Sequence, residues 1–152
     1  RVSMEMQGSE RITASRETVW AALNDPEILR ACIPGCQSLE KTDDTTMKAT
    51  VKLKVGVVSA SFNGEVTLKD IDAPNGYRIE GEGKGGVAGF ANGGADVRLV
   101  EIDETTTELR YYCQARVGGK IAQMGSRLID STARKLAAQF FSQFNEKVSQ
   151  NT

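Results

Sequence analysis

The sequence contains no histidine, which removes the side chain most used for proton transfer near neutral pH, for nucleophile activation and for catalytic metal sites. Carboxylate or lysine chemistry stays open. Aromatic residues make up only 6%, too few for base-stacking platforms, and a net charge of −1 gives no overall pull toward nucleic acid. Nucleic-acid binding is not expected. No apolar run reaches the roughly 18 to 20 residues that span a bilayer, and no charged-then-apolar leader pattern opens the chain, so it reads as cytoplasmic. Cys32, Cys36 and Cys113 are odd in number and lack C-x-x-C spacing; they fit buried or free thiols better than disulfides, a metal site or an iron–sulfur cluster. Arg1 to Ser3 precede a methionine and read as an addition ahead of the native start.

What is present suits one domain. With 152 residues, 39% of them hydrophobic, the chain can bury a core without staples. A single domain is expected over residues 4–148, with a polar tail at 149–152. Charge is uneven: residues 1–108 hold 12 Lys/Arg against 18 Asp/Glu, and residues 109–152 hold 7 against 2. The last third is the basic end.

Met4 to Thr13 alternates as a strand. Ser15 then caps a helix carrying Val19, Trp20 and Leu23, and Asp25 with Pro26 opens a second helix that stops before Ile33-Pro34-Gly35. From Ser38 to Val117 the period becomes two. Met47, Ala49, Val51, Leu53 and Val55 alternate with lysines and threonines, and Phe62, Gly64, Val66 and Leu68 repeat the pattern. Pro74-Asn75-Gly76 marks a turn. Tyr77, Ile79, Gly81, Gly83 and Gly85 share the next apolar face, and two further strands are expected at about residues 95–101 and 108–117. Consecutive strands and short turns predict an antiparallel meander with one wet face. After Gly118-Gly119 the spacing turns helical to about Val148, predicting one helix over 40 Å long at ~1.5 Å per residue. Ile129, Ala133, Leu136, Phe140 and Phe144 form its apolar stripe; Lys120, Arg127 and Arg134 lie opposite, with Met124 and Phe141 at the flanks.

The inward face of the sheet is thinly furnished. Gly64, Gly81, Gly83 and Gly85 fall at apolar-face positions, and Ala49, Ala95 and Ala115 add only methyl groups. Glycine within a strand costs about 0.5–1 kcal/mol relative to alanine, so a set of them on one face marks bending or close approach by something else. Two outcomes stay open: the large side chains of the helix fill the space, or the space holds a ligand. The seven glycines of residues 81–94 include the spacing G-x-G-x-x-G at Gly81, Gly83 and Gly86, but a strand follows where a dinucleotide site needs a helix. That motif is rejected. The segment reads as a flexible hairpin, or as a mobile rim with Val87 and Phe90 at the mouth of a pocket. For catalysis, Glu80, Glu82, Asp96, Arg98 and Arg110 are the available groups; Glu80 and Glu82 alternate with Arg78 and Lys84 on the wet face, where cross-strand pairing is the ordinary explanation. The basic stripe is either a solvated helix face or a contact to lipid head groups or an acidic partner.

The run from Glu17 to Gly35, with Phe62-Asn-Gly-Glu65, the glycines of 81–94 and Gly125-Ser-Arg-Leu-Ile-Asp130, resembles the family of the carbon monoxide dehydrogenase G subunit. The resemblance covers nearly the whole chain. It implies the α+β helix-grip fold of the START-like SRPBCC superfamily: a curved antiparallel seven-stranded sheet around a long C-terminal helix, with two short helices after strand 1 and a hydrophobic cavity between sheet and helix. It also implies a non-catalytic accessory role beside a molybdenum-containing carbon monoxide dehydrogenase at the inner face of the cytoplasmic membrane, the metal centres belonging to the partner. Family members often carry a C-terminal extension proposed to contact the membrane, whereas this sequence ends in Ser149-Gln-Asn-Thr.

Combined with the thin inner face, the expectation is a small hydrophobic ligand, a respiratory quinone (menaquinone or ubiquinone). The expected lining is Phe62, Val66, Ile79, Val97, Tyr111, Leu128, Leu136 and Phe140, with Gly81, Gly83, Val87, Phe90 and Met124 completing the ligand-binding set. Backbone amides or Tyr111 are the candidates to meet the quinone oxygens. Lys120, Arg127, Arg134 and Phe141 are the expected membrane or partner contacts. A ligand-free membrane adaptor and a cyclase- or hydrolase-type enzyme are the rival readings.

Overall fold

A computed structural model describes residues 1–150, the side chain of Gln150 excepted. Of the expected polar tail, Ser149 ends up within the last helix, and Asn151 and Thr152 lie outside the described residues. The chain runs β1 (Val2–Ile12), α1 (Arg16–Leu23), α2 (Pro26–Cys32), β2 (Cys36–Asp43), β3 (Thr46–Val55), β4 (Val58–Asp72), β5 (Gly76–Lys84), β6 (Phe90–Asp103), β7 (Thr106–Gly118) and α3 (Ser126–Gln150). Single 3-10 turns occur at Gly86–Ala88 and Lys120–Met124. The strands form one antiparallel sheet in the order β1-β7-β6-β5-β4-β3-β2, curved around α3.

Local chemistry accounts for the boundaries. The Ser15 hydroxyl accepts from the Thr18 amide at 3.2 Å, and the Asp25 carboxylate accepts from the Glu27 amide at 3.0 Å ahead of Pro26. Both satisfy amides that a helix start leaves without partners. Two hairpins turn on the same device: Asp43 accepts from the Thr45 amide and Asp103 from the Thr105 amide, each at 2.9 Å. These bonds hold both carboxyls below the usual carboxylate range.

Three expectations need correction. The last helix begins at Ser126 and not after Gly119, because Gly125 adopts φ +91 and breaks it from the 3-10 turn at Lys120–Met124. At ~1.5 Å per residue its 25 residues span about 37 Å, and Lys120 does not share a helix face with Arg127 and Arg134. The glycine-rich stretch is mostly paired strand: Gly81 faces Gly93 and Gly83 faces Ala91, leaving only residues 85–89 between β5 and β6. Arg1 to Ser3 read as an addition outside the fold, yet Val2 and Ser3 of β1 pair with Val117 and Arg116 of β7.

The outer face is polar, and its middle is ion-paired. Arg78 meets both Glu80 and Asp96 at 3.1 Å, and Lys69 reaches Glu80 at 2.6 Å. Hydrogen bonds from Lys69 and Arg78 hold the Glu80 carboxyl below its ordinary range. These are exposed ion pairs of the wet face, each contributing little on its own.

The inner face carries two separate cores. One gathers Ile12, Val19, Leu23, Leu99, Leu109, Phe144 and Val148; the other gathers Val55, Val58, Phe62, Ala88, Val117, Ile121 and Ile129. Helix α3 belongs to both, with Ile129 in its first turn and Phe144 and Val148 near its end.

Candidate functional site

Between the two cores, strand register lines up the smallest residues of the sheet. Across β3, β4, β5 and β6 run Ala49, Gly64, Gly83 and Ala91; two residues further along, Gly81, Gly93 and Ala115 lie side by side in β5, β6 and β7. Facing strands use inward positions of the same parity, so these two rows thin the wall across most of its width. A methyl group added at Gly83 would meet nothing nearer than the Asn63 carbonyl at 4.0 Å. The helix answers with small residues too, Ala133 and Ala137.

Beside this belt lies a cavity of about 340 Å³ whose surface is apolar throughout. Its sheet wall consists of Met6, Met47, Val66, Leu68, Tyr77, Ile79, Ala95, Val97, Leu109, Tyr111 and Cys113; Leu23, Leu29, Ile33, Leu39, Ala137, Phe140 and Phe141 close it. An engineered cavity of about 150 Å³ lined by Leu, Ile and Phe stays dry and accepts benzene. The present space is more than twice that, at the lower end of the range of small-molecule sites. No lysine, arginine, aspartate or glutamate lines it. Burial pushes the Tyr77 hydroxyl and the Cys113 thiol up from their ordinary values, so both stay neutral. Ring contacts stiffen the helix side: Phe140 stacks 5.5 Å from Phe144, Phe141 meets Phe140 edge-on at 5.2 Å, and Tyr111 stacks 5.3 Å from Phe141.

Of the expected ligand-binding residues, the structure places Val66, Ile79, Val97, Tyr111 and Phe140 on this wall. Phe62 is buried in the second core, with Met124 and Leu128 packed against that core. Leu136 is half-buried but off the wall, Gly81 and Gly83 lie in the belt beside it, and Val87 and Phe90 stand away from it. Val87 tips a 3-10 turn, and Phe90 lies against Gly118 with the Arg1 guanidinium 5.7 Å from its ring. The Tyr111 hydroxyl lies over Gly8 of β1, whose added Cβ would sit 2.8 Å from it. Phe141, expected as a surface contact, stacks on Tyr111 and faces the cavity. Sequence reasoning missed Met6, Met47, Leu68, Tyr77 and Ala95 on the sheet, although all share the parity of the residues it chose. It also missed Leu29, Ile33 and Leu39, which α2 and β2 fold over the opening. Among the described residues no cluster of three or more His, Cys, Asp or Glu is placed to hold a metal ion, and no helix is long and apolar enough to cross a membrane.

The architecture is that of the helix-grip, START-like class. A START superfamily protein from Mycobacterium smegmatis superposes with a TM-score of 0.72 at 14% identity, covering 97% of this chain and 99% of that one. The Zhui aromatase/cyclase from Streptomyces sp. R1128 also gives 0.72, at 9% identity over 98% and 95%. At such identities the likeness concerns the fold alone. A conserved protein from Geobacillus kaustophilus is much nearer, with 32% identity and a TM-score of 0.90 over 97% and 96% of the two chains. No curated protein sequence matches significantly. Within that class, residues 8–149 match the model of the carbon monoxide dehydrogenase G subunit (CoxG), and the chain belongs to that family.

Proposed function

We propose that this chain is a non-catalytic accessory protein of a molybdenum-containing carbon monoxide dehydrogenase, carrying a respiratory quinone in its cavity and linking the enzyme to the membrane. Membership of the CoxG family supports the partner. One observation carries the ligand: an apolar cavity of about 340 Å³ under the helix, walled by Leu68, Tyr77, Val97 and Leu109 of the first core with Ile79, Tyr111, Phe140 and Phe141. A folded chain leaves such a space only where filling it would defeat a purpose, because close packing elsewhere is the rule. The planar, weakly polar ring of menaquinone or ubiquinone matches a wall of aromatic and branched aliphatic side chains. A wall without charged groups suits holding a molecule better than transforming it. A dehydrogenase feeding electrons to a respiratory chain needs contact with a quinone dissolved in lipid, and a carrier of this shape provides it.

The single tryptophan supplies a direct test. Trp20 sits 5.3 Å from Tyr77, a wall residue, and quinone rings quench indole fluorescence at short range. Titrating delipidated protein with a short-chain naphthoquinone is expected to quench Trp20 saturably, with a fatty acid competing weakly. Quenching that rises linearly, as for free tryptophan, would remove the quinone reading.

A further inference from the structure

The two most exposed large apolar side chains of the described residues are Val57, 87% exposed, and Val87, 93% exposed. Both sit at the same end of the molecule. Val57 tips the β3–β4 turn, whose flanking Val55 and Val58 belong to the second core, and Val87 tips the 3-10 turn whose Ala88 belongs to it too. The Lys120–Met124 turn joins them, with Ile121 buried in that core. Gly89 and Gly119, at φ +124 and +80, allow the two 3-10 turns to touch, since a Cβ on either would collide with backbone of the other segment. The valines therefore stand on a fixed platform.

This end is also the basic end in three dimensions. The segments 52–60, 84–90 and 116–128 hold Lys52, Lys54, Lys84, Arg116, Lys120 and Arg127, and none of the chain's 20 Asp/Glu. With 19 Lys/Arg in all, the other residues carry a balance of −7. All six side chains are exposed. Strand register places neutral residues opposite: Ser61 faces Lys52, Ser59 faces Lys54, Asn63 faces Lys84, and Ser3 and Asn92 flank Arg116. Every ion pair of the described residues uses other cations. Further along the same wet face, away from this end, Lys48 meets Glu65, and Arg78 meets Glu80 and Asp96.

The geometry points to this end as the surface that docks on an anionic lipid bilayer, with Val57 and Val87 entering the headgroup layer and the unpaired cations meeting lipid phosphates. Of the expected membrane contacts it keeps Lys120 and Arg127 and leaves out Arg134 and Phe141 on α3, and it rests on the membrane half of the proposed function. An acidic protein surface is the weaker fit. Protein interfaces favour aromatic and arginine anchors and are poor in lysine, whereas four of these six cations are lysines, spaced around two isolated protruding valines, and basic clusters of that kind suit anionic lipid.

Co-sedimentation with vesicles of phosphatidylcholine alone, or mixed with phosphatidylglycerol, tests the proposal on the full chain. Binding is expected only to the mixed vesicles, falling with salt. Each neutralised lysine is expected to weaken it about fivefold, so Lys54→Gln, Lys84→Gln and Lys120→Gln combined should lose roughly a hundredfold. Val57→Asp with Val87→Asp should abolish binding while the melting curve and Trp20 quenching stay normal. Arg134→Gln with Lys135→Gln on α3 should lose far less than the lysine triple. Tip variants that bind like wild type, a larger loss from the α3 pair, or equal binding to neutral vesicles would overturn the assignment. So would binding to the purified dehydrogenase, but not to vesicles, that the tip substitutions abolish. Because Trp20 quenching is read separately, none of these outcomes is confused with failure to bind quinone.

Discussion

Helix α3 meets the sheet in two ways. Near its end Phe144 and Val148 are fully buried against Ile12, Leu99 and Leu109, whereas one to two turns earlier Ala137 and Phe140 face open space above Ala95, Ile79 and Val66. The same helix, the same curvature and the same strand parity thus produce a sealed core and a hollow within about 10 Å of axis. The difference lies where the helix carries a small side chain: Phe144 and Val148 fill the space beneath them at the sealed end, whereas Ala137 faces Ala95 across a wall otherwise made mostly of large apolar residues, with the glycine belt beside it. The helix is gripped at Ile129 by the second core and at Phe144 and Val148 by the first, so the stretch around Ala137 holds its place without being filled.

Phe144→Ala is the strongest way to break the contrast. It opens a cavity in the sealed core and should cost about 3–5 kcal/mol in urea denaturation. A matched pair sharpens it. Ala14→Leu in the sealed core, where Ala14 is fully buried, should destabilise by about 1–3 kcal/mol through overpacking, while Ala137→Leu adds the same atoms over open space and should be neutral or stabilising, at up to ~0.8 kcal/mol per methylene buried. If both cost the same, the space beneath Ala137 is not real in solution.

The smallest effect concerns the hairpin turns. The carboxyls of Asp43 and Asp103 are depressed by the Thr45 and Thr105 amides. A lowered folded pKa means that their contribution is complete above the unfolded aspartate value, near 3.9, and is lost as pH falls through the folded one. Replacing both with alanine should lower the melting temperature slightly at neutral pH and flatten its decline in acid, with the cavity end unaffected. An unchanged acid slope would show that these turns contribute nothing through charge.

Much of the fold was legible because its signals are local. Strand parity from Met47 to Leu68 and the caps at Ser15 and Asp25 follow from residues a few positions apart. Parity carried the strand reading through Gly83, but Phe90–Gly94 was not legible in the same way, since glycine signals a loop locally and only pairing with Gly81, Gly83 and Ala115 makes it a strand. Nor was Gly125, because a single glycine in a helical pattern does not announce a break. For the site, parity identified which residues point inward but not how far along the strand they sit. Phe62 and Val66 are indistinguishable by period, yet one plugs a core and the other lines the cavity. The basic tip was hidden for a related reason: its cations are scattered over three segments and gather only in space, so a count by thirds of the chain blurs them.

A hollow kept for an occupant should respond to one. The most direct measurement is the thermal shift produced by a soluble quinone analogue on the wild type and on Ala137→Leu. At a hundredfold excess over the dissociation constant, wild-type protein should gain about 5–10 °C, and the filled variant, folded and at least as stable alone, should gain almost nothing. An equal shift in both, or none in the wild type at saturation, would contradict the account.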